Sequence, residues 1–379
     1  MSETLKFGNG LWATKEGSTL AYNSENGNFK PLPFNFTRDT IATRVNKEGL
    51  IEVVSNNEPR IDFKDDSNGA LLLEPSRSNL VTYSEDFSNA AWIKNGGVSV
   101  SLGVISPKGD ASAYNVTGLT GSGSNDLINS YSTNPANNTY TYSVYLKGSG
   151  TLRIQMSNSI DSSEQVIVTL SSEWQRFELT HTFNSTAATS VSAIHDDSGA
   201  TATEYDIWGA QLEQGSYATS YIPTSGSIGT RDAESCDNAG NEQVINSTEG
   251  VLYFEGSGLS SSVGNKIISL NDGTNTNSFW LYIISSSNGI RIFDGVTIGS
   301  FFSVNVYENN KFALVYNSTN TRLFINGSLA ITIPFKSMSN LNKLSFSDGN
   351  EGQKFEGNVK EIKYFDKALT DQELIALTS

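Results

Sequence analysis

The chain has 379 residues, and its 25 lysines and arginines stand against 40 aspartates and glutamates, a formal net charge of −15 at pH 7. That balance excludes a nucleic-acid backbone as the main partner, which needs a cationic surface, and it disfavours an anionic membrane. One cysteine, Cys236, rules out an intrachain disulfide, and two histidines are too few for a multi-histidine metal site.

Only 17% of the residues are charged, while Ser, Thr, Asn and Gly abound. This is the composition of short strands joined by polar turns, so the expected class is all-β. No apolar run is long enough to span a bilayer, so membrane insertion is not expected. The opening Met1–Lys6 lacks the apolar core of a secretory signal. If the protein works outside a cell, another route, such as release within a virus particle, is therefore expected.

Residues 1–80 read as an extended region with isolated aromatics and short strands, among them Ile51-Glu-Val-Val54, Pro59-Arg-Ile-Asp-Phe63 and Leu71-Leu-Leu73. Their apolar content is too small for a separate core, so this region is expected to anchor or oligomerise the chain by wrapping a neighbouring module or a second copy. Arg38, Arg44, Arg60 and Arg77 fall in this region. Arginine pairs bidentately with carboxylates, so they are read as a clasp, with ordinary surface arginines as the alternative.

Residues 81–225 alternate with period two in several segments, including Tyr140-Thr-Tyr-Ser-Val-Tyr-Leu146 and Leu152-Arg-Ile-Gln-Met156. In the first of these, Tyr140, Tyr142, Val144 and Leu146 share one face and Tyr145 takes the other. Residues 226–244 read as a polar, glycine-rich linker. Residues 245–379 are again strands: Gly250–Glu255, Ser278–Ile284, Lys311–Tyr316 and Thr321–Ile325 are followed by an Asn326-Gly327 hairpin turn and a last strand, Gly357–Phe365. Thr370 and Glu373 form a capping box that opens a short terminal helix.

Three stretches carry a family resemblance. Residues 36–63, running into Leu71-Leu-Leu-Glu-Pro-Ser-Arg-Ser-Asn-Leu80, resemble a leader shared by tail, fibre and head-decoration proteins of bacteriophages. Asn79–Trp92 and Trp208-Gly-Ala-Gln-Leu-Glu-Gln-Gly-Ser-Tyr-Ala-Thr-Ser-Tyr-Ile-Pro-Thr224 resemble the jelly-roll carbohydrate-binding-like module of the same proteins. Phe312–Tyr316, Leu323-Phe-Ile-Asn-Gly327 and residues 357–374 are similar to the concanavalin A-like (laminin G-like) lectin fold. The resemblance implies two antiparallel β-sandwiches, jelly-roll type and then concanavalin A-like, after the extended N-terminal region. It further implies a spike, fibre or decoration protein on a virion surface, partnered by other virion proteins, in contact with host-cell glycans and assembled as a homotrimer.

Several residues invite chemistry. Glu204 and Asp206 flank Tyr205, and paired carboxylates are what glycoside hydrolysis uses. Lectin-like glucanases carry a Glu-x-Asp-x-x-Glu strand, and here the third acid is replaced by Gly209. No catalytic residue is therefore assigned, and the protein is not expected to be an enzyme. Related jelly rolls hold a structural calcium, and Glu85, Asp86, Asp110 and Asp206 are the candidate oxygen ligands. For sugar stacking, Trp92, near a turn, and Tyr131, in a polar loop, are the candidates, whereas Trp174, Trp208 and Trp280 lie in strand patterns and are read as core. His181, His195 and Cys236 are scattered and are read as structural. The alternative function is a secreted or cell-surface bacterial carbohydrate-binding protein.

Overall fold

The computed structural model describes the chain except residues 2, 24–27, 120–124, 130–137, 158–163, 185–192, 197–198, 260–264, 285–287 and 302. The described strand pairings are antiparallel, and the helix Asp371–Thr378 closes the chain. The fold is all-β.

The chain forms two compact units. A terminal unit joins Met1–Gly49, Val54–Pro75 and Asp232–Ser379, and a central unit joins Leu50–Val53 to Ser76–Arg231. These boundaries differ from those expected of the sequence. Most of residues 1–80 share a unit with the C-terminal strands, and residues 226–244 hold the strands Gly229–Arg231 and Ser235–Asp237 where a linker was expected.

The reason lies in the strand Gly357–Phe365, which has two edges to satisfy. One edge pairs with Gly250–Gly258. Along the other, Leu5–Gly8 pairs with residues 361–364 and Ala70–Leu73 pairs with residues 357–359. Two pieces of the N-terminal region thus lie end to end within one eight-stranded sheet. Gly8 makes the junction possible. Its φ is +94°, and a Cβ there would lie 2.2 Å from the carbonyl oxygen of Lys360, a distance that only glycine tolerates.

The core of the terminal unit lies between this sheet and a five-stranded one. Leu252, Phe254, Leu314 and Ile362 of the first meet Ile268, Phe279, Leu281 and Ile292 of the second, and Leu5, Phe7, Phe34, Phe36 and Leu73 belong to the same cluster. On the outer face of the large sheet, Val251, Tyr253, Val315 and Phe324 are covered by Leu374 of the helix. Thr370 caps that helix in the expected capping box with Glu373. The Asn326-Gly327 turn has positive φ at both residues, 46° and 80°, as a two-residue hairpin requires.

The N-terminal region is also held by charge. Glu234 accepts from Arg38 Nη1 at 2.7 Å, from Arg60 Nε at 2.8 Å and Nη2 at 2.5 Å, and from the Glu74 backbone N–H at 2.9 Å. Arg60 Nη2 also meets Glu74 Oε2 at 2.9 Å. Both arginine side chains and that of Glu234 are fully buried. Burial opposes the charge of Arg60, but Glu234 and Glu74 outweigh it and hold the guanidinium pKa above its ordinary value. Arg38 and Arg60 are therefore a clasp within one unit.

The central unit has two five-stranded sheets, in the orders 92–94, 125–129, 193–196, 151–156, 164–169 and 99–104, 113–117, 205–214, 138–148, 175–183. Tyr140, Tyr142, Val144 and Leu146 all enter its core beside Leu152, Ile154 and Met156.

Candidate functional site

The acids put forward for calcium lie in the central unit, and they do not form a cation shell. Lys108 Nζ sits 2.7 Å from Glu85 Oε2 and 3.6 Å from Asp110 Oδ2, so an ammonium occupies the space between those two carboxylates. Asp110 also accepts from Ser106 and Ser112, at 2.6 and 2.5 Å. Asp86 accepts from Ser88 Oγ at 2.6 Å and Tyr114 Oη at 3.0 Å. The Ser88 hydroxyl is the largest influence holding the Asp86 pKa below its ordinary value. Asp206 is turned to Asn115 Nδ2 at 3.0 Å and Lys147 Nζ at 3.5 Å. Among the described residues, no group of three or more His, Cys, Asp or Glu side chains is placed to hold a metal ion. The donor set therefore does not fit calcium.

Trp92 is not a sugar platform. It is 1% exposed, packs on Phe87 with ring centroids 4.7 Å apart, and donates its indole N–H to the Tyr83 carbonyl at 2.9 Å. Its place near a turn suggested exposure, but the turn folds the ring into the core. Tyr131 lies outside the described residues.

Gly209 explains the broken acid motif. It has φ +63° at a bulge where Gly209 and Ala210 oppose Val144 alone, and a Cβ there would stand 3.2 Å from the Tyr145 ring. The position serves backbone geometry and re-aims Trp208, which is fully buried between Tyr145 and Tyr221. Cys236 is buried, and burial, with Asp237 and Glu234 adding to it, pushes its thiol pKa well above the ordinary value. Such a thiol is a poor nucleophile.

The structure assembles a different surface, on the outer face of the five-stranded sheet of the terminal unit. The strand Ser278–Ile284 sends Phe279, Leu281 and Ile283 inward, so Trp280 and Tyr282 must face out. The same logic on Gly289–Phe293 buries Ile290 and Ile292 and turns Arg291 and Phe293 outward. Register places Trp280 beside Phe293 and then Ile298 in one cross-strand row, and Tyr282 beside Arg291 and then Ser300 in the next. The Trp280 and Phe293 rings lie 4.5 Å apart, Arg291 lies 5.7 Å from the Tyr282 ring, and its Nε donates to Ser300 Oγ at 3.1 Å. Trp280, Tyr282 and Phe293 are each half-buried, while Ile298 is 55% exposed.

Three strands at the usual spacing and two rows along them span roughly 10 Å by 7 Å. Aromatic faces of that extent, beside a fixed guanidinium, suit a saccharide, whose ring faces stack and whose hydroxyls accept. Of these residues, Trp280 was expected in the core, because a tryptophan in a strand pattern usually lies there. Period two places Trp280 and Tyr282 on one face of Ser278–Ile284, and the packing of Phe279, Leu281 and Ile283 makes that face the outward one.

No protein-family model matches the sequence, and no curated protein matches it. Among solved structures, the chain is similar to CBM40 of the Ruminococcus gnavus IT-sialidase bound to α2,3-sialyllactose, with 21% identity over 38% of this chain and 94% of that one and a TM-score of 0.31. It is also similar to domain 4 of an extracellular arabinanase from Geobacillus stearothermophilus in complex with arabinotriose, with 11% identity over 39% of this chain and 73% of that one and a TM-score of 0.33. The likeness is one of β-fold over part of the chain and extends to no residue's role.

Proposed function

We propose that the protein binds glycans without chemically altering them, through the outward face of Trp280, Tyr282, Phe293 and Arg291. The observation that carries this reading is the cross-strand alignment of three half-buried aromatic rings with an arginine fixed by Ser300. Aromatic rings kept partly in water give up little solvation until a ligand covers them, and sugar ring faces can do so. The guanidinium adds directional donors for hydroxyl or carboxylate oxygens.

The setting we propose is a virion surface, where such a protein attaches a phage particle to host-cell glycans. What supports it is the resemblance of residues 36–63 and 71–80 to a leader of phage tail, fibre and decoration proteins. Trimeric assembly belongs to the same proposal, since repeated weak sites gain avidity. The reading as a bacterial surface carbohydrate-binding protein shares the binding face and differs in the setting.

Screening the purified protein on a glycan array, followed by calorimetric titration of the hits, tests the binding reading. Trp280→Ala is expected to weaken binding about tenfold or more, as loss of an aromatic anchor does. A screen in which no hit loses affinity on Trp280→Ala or Arg291→Ala overturns the assignment of this face.

A further inference from the structure

The terminal unit carries a second concavity, on a different sheet from the aromatic face. It is a cleft of about 380 Å³ at the end of the eight-stranded sheet. Its lining comes from both ends of the sequence: Asp62, Asp65 and Asp66 from the N-terminal region, and Tyr307, Asn309, Asn358 and Lys360 from the C-terminal strands and loops. Neither part forms the cleft without the other.

The backbone builds it with specific devices. Lys360 is the extra residue of a β-bulge, because Glu361 pairs with Glu255 and Val359 with Gly256, leaving Lys360 unopposed. Its carbonyl accepts from the Asn9 N–H at 2.9 Å. Its ammonium is thereby brought to Asp66 Oδ2 at 2.8 Å. Asp66 also accepts from the Asn68 N–H at 2.8 Å. Partial burial works against its ionisation, but Lys360 and Asn68 outweigh it and its pKa is lowered. Asp62 accepts from the backbone N–H groups of Val45 and Lys64, at 2.8 and 2.9 Å. Asp65 stays exposed at the rim. Asn309 donates to Glu255 Oε1 at 3.1 Å, which leaves its amide oxygen as an acceptor.

We infer that this cleft is a second saccharide site, separate from the aromatic face, and that it takes uncharged or amine-bearing sugars and rejects acidic ones. The half-buried Tyr307 supplies an aromatic wall, and Asn309 and Asn358 supply amide donors and acceptors for hydroxyls. Three aspartates against one lysine leave the lining negative, so a carboxylate-bearing sugar meets like charge while an ammonium meets opposite charge. The inference rests on the glycan-binding reading for the class of ligand and not for the location of the site.

Calorimetric titration of the full chain with a glucosamine trimer, an N-acetylglucosamine trimer and sialyllactose tests it, using Trp280→Ala to silence the aromatic face. In Trp280→Ala, at least one of the two trimers is expected to keep binding, at least about tenfold more tightly than sialyllactose. Adding Tyr307→Ala is expected to weaken that binding about tenfold. Asn309→Ala, at an exposed position, gives a second reading should Tyr307→Ala disturb folding. Asp65→Asn is expected to narrow the gap between the trimers and sialyllactose. Loss of all binding in Trp280→Ala overturns the cleft while leaving the aromatic face intact. So does binding indifferent to both Tyr307→Ala and Asn309→Ala, or a preference for sialyllactose. Should the binding of all three ligands, sialyllactose included, ignore Trp280→Ala and fall with Tyr307→Ala, the aromatic face is removed and the cleft remains.

Discussion

Arg38 and Glu234 stand 196 positions apart in the sequence and meet at 2.7 Å with both side chains fully buried. Glu234 answers Arg38 and Arg60 together. Removing it takes a carboxylate from two buried guanidinium groups, of which Arg60 keeps Glu74, and breaking such a buried pair costs about 3–5 kcal/mol. Glu234→Ala is therefore expected to lower the unfolding free energy of the terminal unit by about that amount in a denaturant titration. A loss under about 1 kcal/mol would mean that backbone carbonyls, such as those of Ser55 and Thr43, already satisfy the arginines.

The same architecture sets a limit on dissection. A fragment of residues 232–379 lacks Leu5, Phe7, Phe34, Phe36 and Leu73 of the core, and one edge of Gly357–Phe365 is left unpaired. An open edge beside exposed apolar surface is an aggregation site. The fragment is expected to be insoluble or to lack cooperative unfolding. Adding residues 1–75 as a separate peptide is expected to restore a cooperative transition, read by near-ultraviolet circular dichroism.

Much of this fold was legible in the sequence, because local pattern determines it. The strand Gly357–Phe365, the Asn326-Gly327 turn, the Thr370–Glu373 capping box and the inward set of Tyr140, Tyr142, Val144 and Leu146 each follow from period or turn chemistry. The unit boundaries were not legible, because they depend on partners far along the chain. Leu71-Leu-Leu73 reads as a buried strand, yet nothing near it names residues 357–359 as its mate. The arginines of the N-terminal region were visible, but Glu234 looked like any acid in a polar stretch. Trp92 was misplaced for a related reason. Trp92 and Trp280 differ in exposure through the packing around them, which a single sequence does not carry.

That difference gives two tryptophan variants opposite outcomes. Trp92 is 1% exposed and anchors Phe87 in the core, so Trp92→Ala is expected to cost about 3–5 kcal/mol of stability. Trp280 faces outward and is half-buried, so Trp280→Ala is expected to cost much less while it weakens glycan binding. Thermal unfolding and calorimetric titration of the two variants separate the roles. A Trp280→Ala loss of stability equal to that of Trp92→Ala would return Trp280 to the core.

Acid titration reports on Asp237. Burial disfavours its charged form and raises its pKa, against the donated hydrogen bonds of Ser235 at 2.6 Å and Ser347 at 2.5 Å. A carboxyl whose folded pKa lies above its unfolded value of about 3.9 binds its proton more readily in the folded state. Its contribution to stability is therefore present at low pH and is lost as pH rises through the folded value. In Asp237→Asn that contribution is absent. The unfolding free energy of the parent minus that of the variant is expected to grow as pH falls from 7 toward 4, measured by denaturant titration at each pH. A difference that stays flat over this range would show that the serine hydrogen bonds cancel the cost of burial. A difference that shrinks on acidification would show that they exceed it and that the pKa of Asp237 is lowered.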